Sequence, residues 1–166
     1  MHPLIANEGR VQMIYLTRSE AETMRFAAAL AGMLDAGDNV LLEGDLGTGK
    51  SVVARGVARA LGIAGAMPSP TFTLLIPYAG AKKLYHFDLY RLADPDEFYA
   101  AGLDEFVGGD GIALVEWPQM AELAPEHALT LRLRRGSGDD DRIIEIDNDG
   151  VAGFVPERLA EWRLDA

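Results

Sequence analysis

The chain has 166 residues, enough for one domain with a sizeable core, and its 49% hydrophobic and 25% charged residues are those of a soluble globular protein. Fifteen basic against 26 acidic side chains leave a net charge of −11, so the surface as a whole repels nucleic acid and anionic membrane, and any nucleic-acid role has to be indirect. Cysteine is absent, which removes disulfide and thiolate chemistry, and His2, His86 and His127 are too scattered for a zinc site.

Residues 1–13 lack the basic-then-apolar order of a signal peptide, so the cytosol is the expected compartment. An edge strand is predicted over Arg10–Leu16. Ser19 is placed to cap a helix from Glu20 to Leu34, with its apolar stripe at Met24, Ala27, Ala28, Leu30, Ala31 and Leu34 and its stop at Gly37. A short buried strand, Asn39–Glu43, follows.

The stretch after it, Gly44-Asp45-Leu46-Gly47-Thr48-Gly49-Lys50-Ser51, fits the pattern G-x-x-x-x-G-K-[ST] of a Walker A phosphate loop, and an amphipathic helix runs on from Ser51 to Leu61. Glycines at these positions let successive backbone N–H groups turn inward around phosphate oxygens, while the new helix presents its positive end to the same anion. Lys50 then reaches the β- and γ-phosphates, and the Ser51 hydroxyl goes to Mg²⁺.

The window 60–81 carries no charge, but Pro68, Pro70 and Pro77 break it too often for a membrane span. Pro68-Ser69-Pro70-Thr71 reads as an extended segment, either a switch loop or a linker, with hydroxyls within reach of the nucleotide site. Thr71–Tyr78 and Leu84–Tyr90 are predicted as a hairpin. In its second strand His86, Asp88 and Tyr90 line one surface and Tyr85, Phe87 and Leu89 the other. Next to a phosphate loop, Asp88 is a second acid near Mg²⁺.

Asp94-Pro95-Asp96-Glu97 has the form of a helix start, with Asp94 as cap, and a second amphipathic piece covers Leu103–Phe106. Ile112–Glu116 is an apolar strand ending in an acid, where a Walker B carboxylate belongs, because ligands of open α/β sheets gather at the carboxyl ends of strands. Ala128–Arg135 and Arg142–Asp147 are predicted as a final hairpin. The acidic runs 139–141 and 147–149 lack the closing glutamate of a calcium loop and read as turns. The tail is expected to pack as a terminal helix through Phe154, Leu159 and Trp162.

Together, the glycine loop, Ser69-Pro70-Thr71-Phe72-Thr73-Leu74, Leu84-Tyr85-His86-Phe87-Asp88-Leu89-Tyr90-Arg91-Leu92 and Val115-Glu116-Trp117-Pro118 resemble the bacterial TsaE family, also called YjeE, in the family's order. The resemblance implies a P-loop ATPase that, with the TsaB–TsaD complex, supports threonylcarbamoyladenosine modification of tRNA, the transfer itself belonging to TsaD. It makes Asp45, Leu46, Gly47, Thr48, Gly49, Lys50 and Ser51 the ATP cradle, and Ser51 with Glu116 the Mg²⁺ side. Asp88, Glu116 and Thr71 are then the catalytic set, and Ser69, Pro70, Phe72, His86, Tyr90 and Trp117 the switch or partner-facing set. Many relatives carry Ala at Thr48 and Thr at Ser51, and a serine still offers the metal-directed hydroxyl.

Guanine-specific loops normally carry an Asn-Lys-x-Asp motif, and neither Lys82 nor Lys83 follows an Asn, so ATP is favoured over GTP. The turn Thr17–Glu20 is the guess for adenine. The expected architecture is an α/β P-loop NTPase fold, a mainly parallel central sheet with flanking antiparallel strands and helices on both faces. It forms a single domain with its core at 10–148 and a tail at 149–166. The alternative is a small-molecule P-loop kinase, with Arg132, Arg134, Arg135 and Arg142 clamping phosphates.

Overall fold

The structure is a computed structural model that describes residues 11–65, 67–68, 70 and 73–164, with the side chains of Val11 and Gln12 outside that description. Among the described residues seven strands form one sheet: β1 (Val11–Thr17), β2 (Asn39–Glu43), β3 (Leu75–Tyr78), β4 (Leu84–Asp88), β5 (Ile112–Glu116), β6 (Ala128–Arg135) and β7 (Arg142–Asp149). Their order across the sheet is β1-β7-β6-β2-β5-β4-β3. The four central strands β6, β2, β5 and β4 are parallel, and antiparallel pairs complete the sheet at both sides. This is a mixed α/β fold with the predicted arrangement of strands.

The middle strands β2 and β5 are mostly apolar because both of their faces are covered. On one face, Val40, Leu42, Leu114, Leu129 and Leu131 pack under α1 (Glu20–Ala31) and α2 (Lys50–Ala60). On the other, Leu41, Phe87, Ala113 and Val115 pack against Phe98 of α3 (Pro95–Ala100) and the 3-10 turn Pro118–Ala121. The two helices of the first face approach closely at Gly56, where a Cβ would lie 2.6 Å from the Ala27 Cβ and 2.9 Å from the Met24 carbonyl. A side chain there would force the helices apart. Among the described residues no helix is long and apolar enough to cross a membrane.

Several boundaries differ from expectation. Helix α1 is capped by the Ser19 hydroxyl as predicted, but it ends at Gly32 and not Gly37. Two tighter turns, Met33 N–H to Leu30 and Leu34 N–H to Ala31, then carry the apolar stripe on to Leu34. Strand β3 begins at Leu75, because Leu74 has a left-handed backbone (φ 65°) that breaks the extended run. Strand β7 continues to Asp149, paired with Ala128, so residues 147–149 are ladder and not turn. The terminal helix is a 3-10 helix, Pro156–Trp162, whose Trp162 meets Phe26 edge-on at 5.5 Å.

Candidate active site

The loop Gly44–Ser51 leaves the carboxyl end of β2 and enters α2 without a side-chain cap. Gly49 at the cap position has φ 101°, so the first N–H groups of the helix are left open to an anion. Gly44 has φ 149°, and a Cβ there would stand 2.6 Å from the Leu133 carbonyl of β6. Only glycine lets the loop lie this close to the neighbouring strand. The Thr48 hydroxyl donates to the Asp45 carbonyl at 2.8 Å and closes the turn.

Lys50 is buried. Its amine donates to the Gly44 and Asp45 carbonyls and lies 4.0 Å from the centroid of the Trp117 ring. Burial pushes its pKa below the ordinary lysine value, and Glu116, Asp88 and Asp45 oppose that shift by their charge. Parallel pairing sets Asp88 beside Glu116 at the carboxyl ends of β4 and β5. Both lie on the α2 side of the sheet, one residue out of phase with Phe87 and Val115 in the opposite core.

A cavity of about 220 Å³ collects these groups: Gly47, Gly49, Lys50 and Ser51 on one wall, Asp88 and Glu116 on the other, with Leu46, Tyr90 and Trp117 around its mouth. The predicted cradle and the two predicted acids are thereby one site. Asp45 and Thr48 support the loop from outside the cavity lining. Expected as a strand residue beside His86 and Asp88, Tyr90 instead lies in a turn and is 45% exposed. The Asp88 carboxylate accepts from the Tyr90 N–H at 3.0 Å, which ends the strand and swings the Tyr90 ring to 4.9 Å from Trp117. His86 is buried, touches Glu116 and shares one face of β4 with Asp88, as alternation predicts. Pro70 is buried and its carbonyl accepts from Leu74 N–H at 2.7 Å. Ser69, Thr71 and Phe72 lie outside the described residues.

Sequence reasoning missed Arg55 beside this cavity, and it named Arg135 and Arg142 only in the kinase alternative, as phosphate clamps. Arg55, one helical turn after Ser51, lines a second cavity with Ala54 and Met67; the i, i+4 spacing carried that information. Arg135 and Arg142 flank the glycine loop from the β6–β7 hairpin, close enough to meet a Cβ on Gly47 or Gly49. Arg132, by contrast, is engaged with Glu43 at 3.1 Å and Glu145 at 3.7 Å.

The family model "Threonylcarbamoyl adenosine biosynthesis protein TsaE" matches residues 17–144, which span every strand and helix of the site. The chain belongs to the TsaE family. The tRNA threonylcarbamoyladenosine biosynthesis protein TsaE of Bacillus subtilis is 41% identical over 135 residues, covering 80% of this chain and 84% of the relative. That of Treponema pallidum is 40% identical over 120 residues, covering 72% and 89%. The crystal structure of Bacillus subtilis YdiB superposes with a TM-score of 0.74 at 35% identity, covering 93% of this chain and 95% of that one. This TsaE-family chain thus resembles a solved protein over nearly its full length.

Proposed function

We propose that the chain is a P-loop NTPase that binds Mg·ATP and hydrolyses it in support of threonylcarbamoyladenosine modification of tRNA. In this reading it acts in the cytosol with the TsaB–TsaD complex and meets tRNA only through that complex. One observation carries the ATPase part: the glycine loop with Lys50 and Ser51 faces Asp88 and Glu116 across a single cavity at the carboxyl ends of parallel strands. Family membership supports the pathway, through the names its relatives bear.

The residues fit magnesium. Among the described residues no group of three or more His, Cys, Asp or Glu side chains forms a cage, and Mg²⁺ is characteristically held by one or two carboxylates together with a substrate's phosphates. Ser51 and Glu116 would hold the ion, which when bound neutralises charge on the phosphates. Lys50 would bind the β- and γ-phosphate oxygens, Asp88 would orient the attacking water, and the loop N–H groups would hold the remaining oxygens. On the far flank of the loop, a smaller cavity of about 60 Å³ lined by Glu20, Thr23, Gly49, Val52, Asp140 and Arg142 adjoins the turn expected to receive adenine. A surface of net charge −11 supports a protein partner over direct tRNA contact.

Phosphate release from ATP, measured with and without purified TsaB–TsaD, tests this reading. Stimulation by the complex, abolished in Glu116→Gln, is expected. Hydrolysis that ignores the complex would refute the partnership, and failure to bind ATP at all would refute the site.

A further inference from the structure

Ser51, Asp88 and Glu116 are the shared wall between the loop cavity and a second cavity of about 320 Å³, whose other walls are Ala54, Arg55, Met67 and His86. Across that wall His86 Nε2 lies 2.8 Å from Glu116 Oε2, with the two side chains 5% and 10% exposed. A carboxylate only accepts, so Nε2 carries the hydrogen and donates it. Among the described residues this is the one hydrogen bond to the Glu116 side chain.

The sheet anchors the Glu116 backbone on both sides, through β2 and β4, so the rotamer of its side chain is what His86 alone, among the described residues, contacts by hydrogen bond. Glu116 is the last residue of β5, and the chain turns at once through Trp117 in a left-handed conformation (φ 58°, ψ 49°). His86 is out of place as a mere core residue. Leu84 on the same face of β4 packs into the apolar core, and a leucine at 86 would extend it. Instead a ring is present whose Nε2 meets Glu116 and whose buried Nδ1 has no hydrogen-bond partner among the described residues.

We propose that His86 is the positioning residue for Glu116. By occupying Oε2 it fixes the carboxylate's rotamer and leaves the other oxygen for the ion held with Ser51 and the nucleotide. The inference rests on the Mg·nucleotide reading of the site, and its test separates the two. Mn²⁺ binding to the protein–ADP complex is followed by electron paramagnetic resonance, and ADP binding in EDTA by calorimetry. His86→Leu should weaken Mn²⁺ binding about tenfold, the loss typical of removing an outer-shell partner, while metal-free ADP affinity stays within about twofold. His86→Gln, whose amide nitrogen reaches the place of Nε2, should recover most of the loss.

Unchanged Mn²⁺ affinity in His86→Leu, an equal loss of ADP affinity in EDTA, or a Gln variant no better than Leu would each overturn the proposal. Should His86→Leu fail to fold, the pair His86→Gln and His86→Asn decides: the shorter amide of Asn stops short of Glu116, so equal Mn²⁺ affinities would overturn it. Wild-type protein that binds no ADP, or Glu116→Gln that binds Mn²⁺ as well as wild type, would overturn the nucleotide-site reading and the inference with it.

Discussion

The indole of Trp117 lies over the amine of Lys50, 4.0 Å from nitrogen to ring centroid, and so the residue after the predicted metal-side acid touches the lysine of the glycine loop. Such a contact is worth about 0.5–2 kcal/mol, depending on how far the pair is desolvated. It also makes the ring a reporter of whatever Lys50 binds.

Trp117 fluorescence should therefore change when Mg·ATP is added to a Trp162→Phe variant. The second tryptophan is buried against Phe26, and phenylalanine preserves most of that ring packing. The matching Trp117→Phe variant should show no change. A silent Trp117 in protein that binds ATP by another measure would mean that the nucleotide does not reach Lys50.

The buried charge of Lys50 is held at a cost in stability. Lys50→Ala should lower ATP affinity at least about tenfold, or about 1.4 kcal/mol. Lys50→Met, which fills the same space without a buried charge, should unfold at an equal or higher urea concentration at pH 7. The sign follows from the lowered lysine pKa. The folded state binds its proton less tightly than the unfolded chain, so wild-type stability rises with pH between the lowered value and the ordinary 10.5. The advantage of the methionine variant should shrink across that window. A variant that binds ATP normally would refute the role of Lys50.

At the opposite end of the sheet Asp110 accepts from the Tyr85 hydroxyl at 2.5 Å and pairs with Lys83 at 2.7 Å. The Lys83 and Tyr85 hydrogen bonds hold the Asp110 pKa below its ordinary 3.8, and the Asp110 bond raises that of Lys83 above 10.5. Their stabilisation is present above pH 3.8 and is lost as pH falls through the depressed Asp110 value. It is lost again as pH rises through the raised Lys83 value. Asp110→Asn should thus be less stable than wild type at pH 7, with the gap closing below pH 3.8 in urea titrations. A gap that stays constant with pH would exclude the ionic contribution.

The parts of the fold legible in the sequence were those that local rules decide. Asn39–Glu43 and Ile112–Glu116 match their strands because short apolar runs bounded by glycine or proline leave little choice, and the loop motif set its own strand-turn-helix context. Period-two alternation held within β4, with Tyr85 and Phe87 on one face and His86 and Asp88 on the other, and failed only at Tyr90, past the strand's end. A central parallel strand is covered on both faces, so the polar face of His86 and Asp88 is an interior wall of the site and not a solvated surface. Positive φ at Leu74 and Trp117 was illegible because neither residue favours it, and at a site such strain costs about 1–3 kcal/mol. The approach of Arg135 and Arg142 to the glycine loop depends on β6 pairing beside β2, a long-range choice that no window of sequence contains.

The mouth of the site is apolar where a nucleotide loop alone needs nothing apolar. Leu46 at the tip of the glycine loop is 66% exposed, and Tyr90 stands near it at 45%, with Trp117 completing the rim. The proposed partnership with TsaB–TsaD predicts that this exposed apolar rim is covered by the complex during hydrolysis. The side chain of Leu46 contributes nothing to phosphate binding, which is the work of backbone N–H groups and Lys50. Leu46→Ser should therefore leave ADP affinity of the isolated chain within about twofold, while lowering TsaB–TsaD-stimulated hydrolysis about tenfold, a loss of about 1.4 kcal/mol in transition-state stabilisation. Raising the concentration of the complex should recover the rate if the loss lies in docking. Stimulated turnover equal to wild type would show that the rim is not covered during hydrolysis, and an equal loss of ADP affinity would show that Leu46 shapes the loop itself.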